Sequence, residues 1–193
     1  YYFAKRFFAP VLLSFKKSGN ALEVWVTNDA LKVASVTLDL GFRSFVGKRI
    51  WARKLKLHVR ANSSLKACEV DLLRFAKHDS TQHYFSGSLL TADDLFSEQR
   101  YFLVEPKHLQ LPKAKLTTLL KRGEHGEWRL KIKPTHFAKN VRVEVHGEDI
   151  IFDDNYFDID AGDTRVVWFR SGLTARELKN RLKLKWIEYH NQP

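Results

Sequence analysis

Apolar and polar residues alternate at a period of two, in short runs split by turn residues, along most of this 193-residue chain, and few folds accommodate that. Leu22, Val24 and Val26 alternate with Glu23, Trp25 and Thr27, as a strand with one buried face requires. Val11, Leu13 and Phe15 lie on the other side of a hairpin-like turn, Lys17-Ser18-Gly19-Asn20. Val36, Leu38 and Leu40 form a third run that ends at Gly41. In the run from Trp51 to Val59, Leu55, Leu57 and Val59 oppose Lys54, Lys56 and His58, and Ala67 to Leu73 supplies another strand. The second half keeps the style. Trp128, Leu130 and Ile132 alternate with Arg129, Lys131 and Lys133; Val141, Val143 and Val145 with Arg142, Glu144 and His146. Val166 and Trp168 precede Phe169, and Leu182, Leu184 and Trp186 stand against Lys183 and Lys185. Short strands at roughly 8–12-residue spacing predict an all-β fold built from β-sandwiches.

The length suits two domains of about a hundred residues each. Pro106 and Pro112 make a poor place for a central strand, so the boundary is expected near 106. Residues 1–6 read as the tail of a helix that Pro10 stops. The division expected is therefore 1–10 as helical stub, 11–105 as first sandwich and 106–193 as second. Thr91-Ala92-Asp93-Asp94 could cap a turn running through Phe96, and Thr174-x-x-Glu177 is a capping box. The chain contains no methionine and opens on Tyr1-Tyr2-Phe3-Ala4-Lys5-Arg6. It is expected to belong to a longer polypeptide. Lys5 and Arg6 interrupt the apolar start, so no signal peptide is expected there.

Composition narrows the function classes. Apolar residues at 44% and aromatics at 13% suffice for a packed core and argue against disorder. No apolar run approaches the ~18–20 residues of a membrane helix. The excess of 33 Lys+Arg over 22 Asp+Glu gives +11, which raises nucleic-acid binding through Lys54, Lys56, Arg60, Lys121, Arg122, Lys183 and Lys185. These cations alternate with apolar residues, so they read as the solvent faces of sandwiches, and no nucleic-acid partner is expected. The single cysteine, Cys68, excludes an intrachain disulfide framework and is expected to pack inward beside Val70 as a small hydrophobe. Asn62-Ser63-Ser64 is a glycosylation sequon of the kind that arises by chance, and leaves the compartment open.

Chemistry-bearing motifs are few. The eight histidines lack metal-ligand spacing, and neither a phosphate-binding glycine loop nor a Gly-x-Ser-x-Gly elbow occurs. Asp153, Asp154, Asp160 and Asp163 could suggest calcium, but Asx turns and a tight turn at Gly162 explain each of them. Tyr156 and Phe157 are expected on opposite sides of a strand. Trp25, Trp51, Trp128, Trp168 and Trp186 could stack on sugar rings, although tryptophans in alternating strands are more often core. No catalytic, cofactor-binding or metal-binding residue is assigned, and no cofactor is expected.

Two stretches carry a family resemblance. Tyr2-Phe3-Ala4-Lys5-Arg6-Phe7-Phe8-Ala9-Pro10-Val11-Leu12-Leu13-Ser14 with Leu22-Glu23-Val24-Trp25-Val26-Thr27-Asn28-Asp29 resembles the passage from the last barrel helix into the first post-barrel sandwich of the family 2 β-mannosidases. Asp153-Asp154-Asn155-Tyr156-Phe157-Asp158 with Gly162-Asp163-Thr164 resembles a turn-and-strand motif of their terminal immunoglobulin-like domain, and Pro106 to Pro112 resembles the join between the two. The resemblance implies two immunoglobulin-like sandwiches in tandem, acting as a non-catalytic region that scaffolds a barrel. It implies a parent that hydrolyses terminal non-reducing β-mannose with retention, using two barrel glutamates. Glu98, Glu105, Glu124, Glu127 and Glu148 match no such motif and read as solvated surface. The partners implied are the barrel and N-terminal domains of the same polypeptide, with β-mannoside substrate reached only through the parent, and no membrane. The alternative is a stand-alone carbohydrate-binding or adhesion-type immunoglobulin-like module. Tyr1, Tyr2 and Phe3 are expected at the interface with the barrel, and Phe7 and Phe8 against the first sandwich.

Overall fold

The computed structural model describes residues 1–91, 95–123 and 126–188. They are mostly antiparallel strands, grouped into two units. The first unit takes in Phe3–Ser44 and Lys48–Leu109; the second takes in Gln110 onward with Phe45–Gly47 and Tyr2.

A short helix, α1 (Tyr2–Phe7), opens the chain and buries none of its residues. In the first unit follow β1 (Val11–Ser18), β2 (Ala21–Asn28), β3 (Ala34–Ser44), β4 (Arg49–Val59), β5 (Ser63–Asp71), β6 (His83–Leu90) and β7 (Leu95–Phe102). One sheet runs in the order β1-β2-β5 and the other in the order β4-β3-β6-β7. Alternation sets the inward faces: Leu13, Leu22, Val24, Val26, Leu38 and Phe42 are wholly buried in one shared core. Cys68, next to a register shift in the pairing with β2, packs against this core beside the buried Val70 and is half-buried.

Several boundaries differ from the expected ones. β3 does not end at Gly41 but continues to Ser44, with Gly41 paired to Ala52 and Ser86. The ladder overrides the glycine because both neighbouring strands supply partners. β5 starts at Ser63 and stops at Asp71, where the Asp71 carboxylate accepts the Leu73 N–H and opens a 3₁₀ turn, Leu72–Phe75. β6 lacks alternation because Tyr84, Phe85, Ser86 and Gly87 are all buried, so its pattern carried no period-two signal. At Gly87 an added Cβ would stand 2.6 Å from Leu13 Cδ2, so the close sheet-to-sheet approach needs glycine. The turn expected from Thr91 through Phe96 falls partly on 92–94, outside the described residues, and Leu95–Phe102 is strand.

The Asn28 side chain, fully buried at the end of β2, holds a corner. The two N–H groups of its Nδ2 are shared among the carbonyls of Lys32, Val59 and Arg60 at 2.8–3.0 Å, and its Oδ1 accepts the Ala30 N–H at 3.0 Å.

The second unit contains β8 (Leu116–Arg122), β9 (Trp128–Pro134), β10 (Ala138–Val145), β11 (Phe157–Ile159), β12 (Arg165–Phe169), α2 (Ala175–Arg181) and β13 (Leu182–Ile187). Its sheets run β12-β9-β8 and β11-β10-β13. Trp128, Leu130, Ile132, Val141, Val143, Phe157, Val167, Phe169 and Leu178 fill the core. The capping box expected at Thr174 starts α2: Thr174 Oγ1 accepts the Glu177 N–H while Glu177 Oε2 accepts the Thr174 N–H at 2.8 Å.

The acidic corner before β11 works as local turn chemistry. Asp153 Oδ1 accepts the Asp154 N–H, Asp154 Oδ1 accepts the Asn155 N–H, and the buried Asn155 forms two bonds to the backbone of Val143 at 2.8 Å. Gly162 takes a φ of +79° in the turn that follows, as expected. Tyr156 corrects the reading of its strand: it has a φ of +56° and stands before β11 rather than opposite Phe157 within it.

Candidate functional site

Among the described residues no cluster of three or more His, Cys, Asp or Glu side chains is arranged to hold a metal ion. Asp154 is taken up by Arg165, and Asp153 Oδ1 accepts the Trp168 N–H at 2.7 Å. The glutamates separate. Glu105 is well exposed beside Lys107, and Glu148 pairs with Arg181, whereas Glu98 is mostly covered and paired with Arg100 rather than solvated. Glu124 lies outside the described residues. Burial pushes the Cys68 thiol above its ordinary range, the behaviour of a packed thiol rather than a reactive one. Asn62 sits in the turn between β4 and β5 with a φ of +47°.

Sequence reasoning passed over His78 and His83. Their rings lie 5.2 Å apart, and both flank Phe42. Desolvation, then His83, Lys77 and Lys48, hold the His78 imidazole below its ordinary range. His83 Nδ1 donates to the Asp79 carbonyl at 2.7 Å, which fixes its tautomer.

The aromatic residues give the clearest departures. Phe7 and Phe8, expected against the first sandwich, are 67% and 79% exposed, and their rings meet only edge to face with each other. Tyr1 and Phe3 are likewise exposed, at 83% and 64%. Tyr2 behaves differently: it belongs with the second unit, where its hydroxyl accepts the Phe152 N–H at 3.3 Å and its ring stands 6.2 Å from Tyr156. Of the tryptophans, Trp128 is buried, Trp25, Trp51 and Trp186 are half-buried, and Trp168 faces outward. Trp168 therefore departs from the core assignment. In Val166-Val167-Trp168-Phe169 both phases of the alternation are apolar, so sequence alone left the inward phase open; the structure puts Val167 and Phe169 inside.

Trp168 sits on an ordered surface. Across the sheet β12-β9-β8 it pairs with Arg129, which pairs with Lys121. The next outward row is Val166, Lys131 and Leu119, and the third joins Lys133 to Thr117. The Arg129 guanidinium lies 5.2 Å from the Trp168 ring centroid.

The family model described as the mannosidase Ig/CBM-like domain matches residues 20–108, and the mannosidase Ig-fold domain matches residues 111–187. The chain is similar to the β-D-mannosidase of Dictyoglomus thermophilum, with a TM-score of 0.86 and 25% identity over 96% of this chain and 22% of that one. It shares its fold with the exo-chitosanase CsxA of Amycolatopsis orientalis, with a TM-score of 0.62 and 17% identity over 96% of this chain and 26% of that one. No curated protein sequence matches the chain. It thus spans about a fifth to a quarter of the length of these solved relatives.

Proposed function

The chain belongs to the tandem immunoglobulin-like region of the mannosidases, and on that premise we propose that it is the non-catalytic accessory part of a β-mannosidase. In this reading the parent hydrolyses terminal non-reducing β-D-mannose with retention, through two glutamates of a barrel in the same polypeptide. The two sandwiches, joined in the segment 106–112, dock on that barrel and hold it in its folded form. Substrate meets them only through the parent.

The observation that carries the scaffolding role is α1. A helix of six residues with no buried side chain presents Phe3 and Phe7, and Phe8 directly follows, all more than 60% exposed. Each aromatic hidden from water contributes roughly 1.5–3 kcal/mol, so three exposed together mark a surface built to be covered. The barrel-facing set is thus Phe3, Phe7 and Phe8, without Tyr2.

The test replaces Phe3, Phe7 and Phe8 by Ser in the parent polypeptide and in the 193-residue chain. The parent should lose several degrees of melting temperature and part of its β-mannosidase activity, while the isolated chain melts as before. A parent unaffected by the triple substitution would remove α1 from the docking surface and with it the support for scaffolding.

A further inference from the structure

The outer face of β8, β9 and β12 has no role in the accessory reading, and its composition is one-sided. Eight side chains occupy it: Trp168 and Val166 on β12, Arg129, Lys131 and Lys133 on β9, and Thr117, Leu119 and Lys121 on β8. Four are cations and none is a carboxylate. Among the described residues none of the four cations is in a salt bridge, whereas Arg142, Arg165, Arg181, Lys139 and Lys185 of the same unit all are. The nearby carboxylates are engaged elsewhere. Asp153 accepts the backbone N–H groups of Asp154 and Trp168, and Glu127 folds over Gly123 in the turn between β8 and β9.

Two features mark the face as more than a solvated charge run. The Nε of Arg129 is shut off from solvent and has no hydrogen-bond partner among the described residues, a state that normally costs stability and calls for a partner. Beside it the Trp168 indole is 37% exposed, with its ring centroid 5.2 Å from the guanidinium carbon. Along β9 the cations Arg129, Lys131 and Lys133 repeat every second residue, about 6.8 Å apart on a straight line.

We propose that this face binds a linear acidic polysaccharide, a glycan bearing carboxylates or sulfates on successive sugars. One pyranose ring stacks on Trp168, and Arg129, Lys121, Lys131 and Lys133 pair with acidic groups along the chain. Three of the four cations are lysines, which packed protein interfaces avoid, so a hydrated, flexible polyanion fits better than a folded acidic protein. Single-stranded nucleic acid is usually held by several stacking aromatics in succession, and this face offers one. The inference stands on the geometry of the second unit and does not need the mannosidase activity.

Isothermal titration of the 193-residue chain with a galacturonate octamer and with a dextran sulfate oligomer reads it out. Neutral mannohexaose and an oligodeoxynucleotide of equal charge serve as comparisons. Binding to one or both acidic glycans is expected at low salt, the pattern telling carboxylate from sulfate preference. Replacing Lys131 and Lys133 by Gln should weaken it at least tenfold and lower the slope of log K against log salt by about two, near the one-per-contact expectation. Trp168→Ala should weaken the glycan several-fold and leave the oligonucleotide unchanged. Lys54→Gln with Lys56→Gln on β4 should do neither. The proposal is overturned by no acidic-glycan binding at low salt, by equal loss in the β4 variant, by tighter binding of mannohexaose, or by oligonucleotide binding as tight with no Trp168 effect. Lys131 and Lys133 keep little of their side chains in the core, so the double variant should fold even where Trp168→Ala does not.

Discussion

Asn28 offers the sharpest test of how the first unit is held together. Replacing it by Ala strands the Val59 carbonyl, which sits in the buried part of the corner, at about 1–3 kcal/mol. The Lys32 and Arg60 carbonyls and the Ala30 N–H are only partly buried, so water can replace the amide at a cost of about 0.5–1.5 kcal/mol in all. Asn28→Ala should therefore destabilise by about 2–4 kcal/mol, which lowers the melting temperature of a domain this size by about 8 °C or more. Asn28→Asp should be worse at neutral pH, because a carboxylate would face three carbonyls with no proton to donate. Burial and those carbonyls raise the new carboxyl's pKa in the folded state above its unfolded value of about 3.9. Folding then binds the proton more tightly, so the penalty is full above the folded pKa and shrinks as pH falls from there toward the unfolded one. Urea unfolding followed by circular dichroism across that range measures both effects. If Asn28→Ala stays within about 0.5 kcal/mol of the parent chain, or the Asp variant worsens in acid, the corner is not the clamp described.

Other substitutions probe other links. Gly87→Ala pushes a methyl to within 2.6 Å of Leu13 and 3.0 Å of Phe15, so overpacking should cost about 1–3 kcal/mol in chemical denaturation. Thr174→Ala removes the cap of α2 and should cost about 1 kcal/mol. The bonds from the Thr174 backbone and hydroxyl hold the Glu177 carboxyl below its ordinary 4.5, so its contribution is present above that value and lost as pH falls through the folded one. The difference between parent and Thr174→Ala should accordingly narrow in acid. Cys68, packed against the core with its thiol pushed up by burial, should react slowly with an aromatic disulfide until denaturant is added, and stoichiometric labelling within seconds would reverse the face assignment of β5.

Fold was legible where one face is buried and the other wet. β2, β9 and the part of β10 from Val141 on alternate because outward residues such as Glu23, Arg129 and Glu144 are polar, and the pattern survives translation into burial. β6 was not legible, since residues covered on both sides carry no alternation, and Ser86 and Gly87 look like turn residues. The same ambiguity hid Trp168, flanked by apolar residues in both phases. Caps and Asx turns could be read from spacing alone because their bonds reach only one to three residues along the chain. What could not be read was which aromatics of the first eight residues face inward. A six-residue helix has too few turns to show a period, and its partners are distant in sequence: the Phe152 N–H that meets Tyr2 is 150 residues away.

The accessory role itself is tested most directly by hydrolysis. The 193-residue chain and a polypeptide extended upstream of Tyr1 are assayed side by side on p-nitrophenyl β-mannoside and p-nitrophenyl β-glucosaminide. The chain alone should hydrolyse at the buffer rate, and the extended polypeptide should turn over with a preference for the mannoside. Turnover that stays with the chain through repurification, or an extended polypeptide that cleaves only the glucosaminide, would contradict this expectation.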